Sequence, residues 1–232
     1  MSEPAVHALV LAAGAASRFG SPKQLARIGD RPLLPLCIGR AVQVAGHAVT
    51  VVLGAHAAEL TPALRHSSVG IVINRQWREG IASSIRAGLA QLPGSADAVL
   101  ILLADQPDVT HQDLARLVGA WRAQPDSLAA ASYSGTVGAP AVFPRWCFQD
   151  LAQLQGDRGA RNVLLRHLDR LIRVTMPCAA IDIDRPEDLL AREEAHRAAA
   201  PAPLTQDQGR GQSAVAPDIA AELTLAADEP TH

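Results

Sequence analysis

Apolar residues fall along this chain in short continuous runs, separated by turn residues and by stretches with helical spacing. Ala5–Leu11 is apolar apart from His7, Ala48–Leu53 and Val69–Ile73 form two further short runs, and Asp97–Leu103 is the most hydrophobic of the set. Runs of this length, bounded by turns, fit strands buried on both faces. Between them, Leu33–Val44, a segment near Ala57–His66, the stretch Asn74–Leu89 opening at Glu79-Gly80, and Asp113–Arg122 carry the spacing of helices that cover a sheet. The alternation predicts an α/β fold, a Rossmann-like and mostly parallel sheet with helices on both faces. In such a fold ligands sit beyond the carboxyl ends of the strands, so the loops after strands are where chemistry is sought.

The second half reads similarly but less regularly. Leu128–Ser132 is a strand and Tyr133–Gly138 a turn, while Ala139–Phe143, with Pro140 inside it, reads as an edge or irregular strand. Pro144–Leu154 forms a short helix, the polar turn Gly156–Arg161 opens another through His167, and Leu171–Val174 is the last strand. A terminal helix runs to about Ala198, with Asp184 placed as its N-cap and Glu187 at the capping-box position. From Ala199 the periodicity gives way to Ala, Pro, Gln and Gly, so a single domain over residues 1–198 is followed by a tail, 199–232, read as disordered.

Composition narrows the classes. With 48% hydrophobic and 19% charged residues and a formal charge of -2, the chain has no general electrostatic case for nucleic acid or an anionic membrane. It shows neither a leader pattern nor an apolar run near the roughly 18 residues of a membrane span, so a cytoplasmic protein is expected. Cys37, Cys147 and Cys178 are odd in number and far apart, which predicts free core thiols, and the dispersed histidines disfavour a zinc site.

Candidate chemistry begins at Leu9–Leu25, LVLAAGAASRFGSPKQL, an apolar strand feeding a small-residue loop that holds Arg18 and Lys23. Small residues let backbone N–H groups approach an anion, and cations complete the charge, so the loop predicts a phosphate cradle. It lacks the Walker spacing, because Gln24 follows Lys23 where Ser or Thr would stand. Lys23 is the only lysine among 21 basic residues, in keeping with a site that wants a compact ammonium on a flexible stem. Asp105 ends the most hydrophobic strand, and a carboxylate there costs several kcal/mol, on the order of 3–5, unless paired or bound to a cation; it reads as a metal ligand. Asp108 reads instead as an N-terminal residue of the following helix. The small face of Ser83, Ser84, Ala87 and Gly88 admits two readings, ligand approach or tight helix–sheet packing. Arg158 and Arg161 beside a helix start would suit an anion or stand solvated.

Six segments occur in one order over roughly residues 6–197: Leu11-Ala12-Ala13-Gly14 with Ser17-Arg18-Phe19-Gly20 and Lys23, Glu79-Gly80 to Gly88, Asp105-Gln106-Pro107, Gly138 to Phe143, Gly156 to Arg161, and Asp182 to Asp188. Together they resemble the MobA-like nucleotidyltransferase family, and most of all its molybdenum cofactor cytidylyltransferase branch. The resemblance implies a GT-A-like nucleotidyltransferase fold and Mg²⁺-dependent transfer of CMP from CTP to the terminal phosphate of molybdenum cofactor, with release of pyrophosphate. It would place Leu11, Ala12, Ala13 and Gly14 against base and ribose, Arg18 and Lys23 on the triphosphate, and Gly80 and Ser84 near the nucleobase. Asp105 would hold Mg²⁺ and share catalysis with Lys23 and Arg18. Asp182 would be the second metal carboxylate, with Asp184 its rival. Ala13 stands where a guanylyl-transferring branch tends to have glycine, which tilts the base toward cytosine. The expected partners are small-molecule substrates and a molybdoenzyme or its dedicated chaperone. The alternatives are a guanylyl or sugar-phosphate nucleotidyltransferase of the same fold, or a protein that binds and delivers cofactor without catalysis.

Overall fold

The spine of the molecule is the strand β1, Val6–Ala12, whose seven residues are all buried. In the computed structural model, which describes residues 3–65 and 67–199, it is followed by two short strands, β2 (Arg27–Ile28) and β3 (Arg31–Pro32), that form a small hairpin of their own. The main sheet continues with β4 (Val49–Leu53), β5 (Gly70–Ile73), β6 (Ala98–Leu103), β7 (Leu128–Tyr133), β8 (Thr136–Pro144) and β9 (Leu171–Thr175). Its order is β5-β4-β1-β6-β8-β7-β9, parallel throughout except at β8, which runs antiparallel to both neighbours. The residue that interrupts the apolar run of β1, His7, is paired across to β4, its Nε2 lying 2.8 Å from Thr50 Oγ1.

Strand residues alternate between two cores. One face carries Ala8, Val10, Leu100 and Leu102 under α1 (Leu33–Ala45) and α4 (His111–Ala123), whose Leu34, Ile38, Leu117 and Trp121 are buried against them. The other carries Leu9, Leu11, Val99 and Ile101 under α3 (Ile81–Leu89), α5 (Phe148–Ala152) and α6 (Arg161–Arg166). The remaining helices are the single turn α2 (Ala57–Leu60) and the terminal α7 (Pro186–Ala199). The described residues form one compact unit, and none of their helices is long and apolar enough to cross a membrane. The tail expected from residue 199 lies, from residue 200 on, outside the described residues, as does His66.

Three expectations are corrected. Ala139–Phe143 belongs not to an edge but to β8, in the sheet interior between β6 and β7. Pro140 is tolerated there because β6 pairs only with Ala141–Pro144, and a register shift opposite Ala130/Ala131 takes Pro140 out of the ladder, so its missing N–H is not needed. The turn is confined to Ser134-Gly135, both with positive φ (47° and 72°), a two-residue hairpin whose twist suits its strands. Asp108 does not open α4. Thr110 caps that helix, sharing a capping box with Asp113, and Asp108 instead pairs with Arg192 of α7 at 2.5 Å. The three thiols are free as expected, Cys147 fully buried, and burial pushes the Cys37 and Cys147 thiols up to about 12.

The small face of α3 serves packing at Gly88, where a Cβ would stand 2.3 Å from Leu9 Cδ1. Gly88→Ala is therefore expected to destabilise the protein by about 1–3 kcal/mol through overpacking, read as a lower urea midpoint with an unchanged slope. An unchanged midpoint would mean that Leu9 can yield freely.

Candidate active site

β1 and β6 lie side by side and end at the same level, so their carboxyl ends deliver two loops to one cleft of about 480 Å³. The cleft is lined by Leu11 through Arg18, Lys23 and Gln24 on one side and by Leu103, Ala104 and Asp105 on the other. Trp77, Arg78, Gly80, Ile81 and Ser84 close it from the start of α3, and Asp157 and Asp184 complete the rim. All eight residues expected at the nucleotide come together here, and so does Asp105. Asp182 is not among the lining residues; Asp184 is.

The loop after β1 is built with its carbonyls tied away from the cleft. Gln24 Nε2 donates to Ala12 O and Gly14 O, both at 3.3 Å, Ala55 N donates to Ala13 O at 3.1 Å, and His56 Nε2 lies 3.0 Å from Ala15 O. Phe19 N and Gly20 N both donate to Ala16 O, bending the chain through a positive φ of 50° at Ala16. Among the described residues, the N–H groups of Gly14, Ala15, Ala16, Ser17 and Arg18 donate to no protein acceptor. Successive free amides of this kind form an anion-binding concavity.

Opposite them, Lys23 Nζ bridges two carboxylates, Asp105 Oδ2 at 2.8 Å and Asp184 Oδ1 at 2.7 Å, with only 13% of its side chain exposed. Burial alone would lower the Lys23 pKa, but the charge and hydrogen bonds of Asp105 and Asp184 outweigh it and raise the ammonium above its ordinary value. The hydrogen bond from Lys23 in turn holds Asp184 below the usual carboxylate range. Asp184 is thus no helix cap, and that expectation is corrected. The N–H groups of Asp184 and Arg185 are taken by Asp188 Oδ2, at 3.0 and 2.8 Å, which frees the Asp184 carboxylate to reach Lys23.

Two features bear on a cation. Asp105 Oδ1 is buried with no hydrogen-bond partner, although Oδ2 of the same carboxylate is engaged. Asp182 makes no ion pair among the described residues, and burial together with the charges of Asp105 and Asp184 pushes its carboxyl up to about 6. Hard oxygen donors with unspent charge suit Mg²⁺ or Mn²⁺. Among the described residues no group of three or more His, Cys, Asp or Glu forms a metal cage. Mg²⁺ is usually held by one or two carboxylates and completes its shell with phosphate and water.

Sequence reasoning missed the lining contributed by Trp77, Arg78 and Asp157. Arg78 stacks on the Trp77 ring at 4.4 Å, and Asp157 lies against Gly80, where a Cβ would stand 2.4 Å from Asp157 Oδ1 at a φ of +97°. Gly80 is therefore required both by its backbone conformation and by the close approach of the Gly156-Asp157 turn. That turn presents an acid to the cleft, which neither of its arginines lines. Arg158 faces a separate hollow with Asp150 and Arg166, and Arg161 reaches Thr136 Oγ1 at 2.5 Å. Ser84 splits its duty, lining the cleft while its Oγ accepts from Asn74 Nδ2 at 3.1 Å.

A doubly wound sheet with an amide cradle at the end of its first strand, and acids at the ends of the neighbouring elements, defines an α/β protein with a polar ligand cleft beyond the carboxyl ends of its strands. Residues 8–171 match the MobA-like NTP transferase domain, and the chain belongs to that nucleotidyltransferase family. It is 32% identical over 143 residues to nicotine blue oxidoreductase of Paenarthrobacter nicotinovorans, covering 61% of this chain and 68% of that one. It is also 22% identical over 191 residues to the molybdenum cofactor cytidylyltransferase of Escherichia coli K12, covering 82% and 96%. The fold superposes on the crystal structure of Rv0371c from Mycobacterium tuberculosis H37Rv with a TM-score of 0.73 and 27% identity, over 83% of this chain and all of that one. A further structure of that protein is its complex with manganese.

Replacing Lys23 by Met leaves Asp105 and Asp184 facing each other without a cation. Because the Asp184 pKa is depressed, the stability it lends is present above its ordinary value of 3.8 and lost as pH falls through the folded value. Lys23→Met is thus expected to cost about 1–2 kcal/mol at pH 7, with the gap to wild type closing below about pH 4 in thermal melts across pH. A gap independent of pH would remove the ion pairs from the account.

Proposed function

We propose that this protein transfers CMP from CTP to the terminal phosphate of molybdenum cofactor and releases pyrophosphate. The observation that carries nucleotidyl transfer is the pairing of five free amides with a buried Lys23 whose two carboxylate partners lie across the same cleft. An acceptor phosphate oxygen forms the new bond to the α-phosphorus of CTP, the bond from that phosphorus to the β-phosphate bridging oxygen breaks, and pyrophosphate leaves with the electron pair. No protein nucleophile is needed. Both reactants are anions, so the work is positioning and charge neutralisation, supplied by the amides of Gly14–Arg18 and the side chains of Arg18 and Lys23.

Leu11, Ala12, Ala13 and Gly14 would lie along base and ribose, with Gly80 and Ser84 at the base edge. Asp105 and Asp182 would hold Mg²⁺, Asp105 through its unpartnered Oδ1, while Lys23 keeps Asp105 Oδ2 and Asp184. When bound, the ion polarises the phosphoryl oxygens and offsets developing charge. The choice of CTP and of the cofactor acceptor draws on Ala13 and on the cytidylyltransferase relative, which this chain matches across 96% of that protein's length. Ala13 lines the cleft with its methyl packed toward Gly54, where a glycine would loosen that wall.

Pyrophosphate release from CTP, dependent on added molybdenum cofactor and Mg²⁺, is the expected activity. Release with sugar phosphates instead, nucleotide binding without release, or oxidation of a nicotinamide cofactor in the same assay would overturn it. The last arm addresses the relative that is named as an oxidoreductase. Lys23→Ala and Asp105→Ala are each expected to lower kcat by about 100-fold or more with the fold retained by circular dichroism. Ala13→Gly is expected to move the CTP-to-GTP ratio of kcat/KM toward GTP by about tenfold, within the 1–3 kcal/mol that one methyl can discriminate. Near-normal turnover in either of the first two variants, or an unmoved ratio in the third, removes the role assigned to that residue.

A further inference from the structure

The tethers of the amide cradle are not alike. Gln24 and the Ala55 N–H are neutral donors that keep their protons at any ordinary pH. His56 is different. Its ring stands between two groups that can only accept, the Ala15 carbonyl oxygen 3.0 Å from Nε2 and the Glu59 carboxylate 3.0 Å from Nδ1. A neutral imidazole carries one proton and can satisfy one of them; both bonds exist together only in the imidazolium. The two bonds favour that form, raising the His56 pKa against the opposing effect of burial, with the Ala15 carbonyl contributing most. Glu59, on α2, is the charged group that bears on the ring.

The position of the tether gives it leverage. Ala15 immediately precedes Ala16, whose positive φ is a conformation that an alanine adopts only at a cost and that needs support from both sides. On the far side, the Phe19 and Gly20 N–H groups hold Ala16 O. On the near side, His56 holds Ala15 O, and the peptide that carries this carbonyl also carries the Ala16 N–H, one of the five free amides. We propose that His56 is a positioning residue of the phosphate cradle, its imidazolium fixing the Ala15–Ala16 peptide with the N–H toward the cleft, so that triphosphate affinity falls when this one side chain gives up its proton. The ring is not among the residues that line the cleft. It acts through the loop, and its positive charge behind the cradle adds to the same end.

The inference rests on the reading of the cleft as a triphosphate site, and its test separates the two. The His56 ring is first titrated by NMR in the protein without nucleotide, where a pKa above 6.5 is expected; a value at or below 6.5 overturns the proposal whatever the protein binds. Dissociation constants for CTP in Mg²⁺ are then measured from pH 6 to 9 for wild type, His56→Gln and His56→Arg. The ratio of variant to wild type cancels the ionisation of the triphosphate itself. His56→Gln is expected to bind about tenfold more weakly at pH 6, with the ratio falling toward two as pH rises through the His56 pKa; the tenfold figure corresponds to about 1.4 kcal/mol. His56→Arg, a permanent cation and donor, is expected to restore affinity and remove the falling limb. A ratio near one throughout, or a deficit that does not change with pH, overturns the proposal. No CTP binding by wild type, with the ring pKa raised as expected, would fault the triphosphate reading and leave the protonated tether standing.

Discussion

A backbone cannot offer five successive N–H groups to an anion unless something else takes its carbonyls. Around that constraint the cleft end of this molecule is arranged. The carbonyls of Ala12 through Ala16 are claimed one after another by Gln24, Ala55, His56, Phe19 and Gly20. What remains without a protein partner among the described residues is the run of N–H groups from Gly14 to Arg18, on residues that line the cleft. Walker-type loops obtain a similar result with a helix N-terminus directly behind the phosphate. Here no helix of any length follows β1 at once, only the single turn Lys23–Leu25, and donors from other parts of the chain supply the order that a helix would impose.

The cation side is built on the same economy. Three acids, Asp105, Asp182 and Asp184, gather at the carboxyl ends of the elements, stitched by the bond from Ile183 N to Asp105 O at 2.9 Å. One ammonium satisfies two of them. The third, Asp182, forms no ion pair among the described residues, and one Asp105 oxygen has no partner, which suits a site that completes itself with ligands.

Much of this was legible in the sequence because it is carried by local signals. The buried strands, their alternation with helices and the small-residue loop all follow from runs of a few residues, and Asp105 was conspicuous because a carboxylate at the end of Ala98–Leu103 has no structural excuse. What escaped is what depends on contact at a distance. Gln24 registered only as the absence of a Walker hydroxyl, since nothing nearby tells that its amide turns back onto Ala12 and Gly14. His56 and Ala55 gave no signal at all, lying some 40 positions from the loop they hold. Asp184 looked like a helix cap because an acid two residues before a proline looks the same whether it bonds its own helix or Lys23. Pro140 argued for an edge strand, correctly in terms of its missing N–H; the register shift that excuses it belongs to the partner strands. Trp77 and Asp157 were invisible because only the close approach of two loops at Gly80 brings them to the cleft.

The bond between Lys23 and Asp184 has a consequence beyond charge. It joins positions 161 residues apart, the loop that begins the domain and the segment that launches its last helix. Among the described residues, α7 itself is tied back to the sheet side by the Arg192–Asp108 pair at its middle. The ammonium therefore works as a clasp at the waist of the chain, tying the loop after β1 to the segment before α7 from within the cleft itself. Lining the cleft and holding the carboxyl-terminal helix in place are demands on one and the same nitrogen atom.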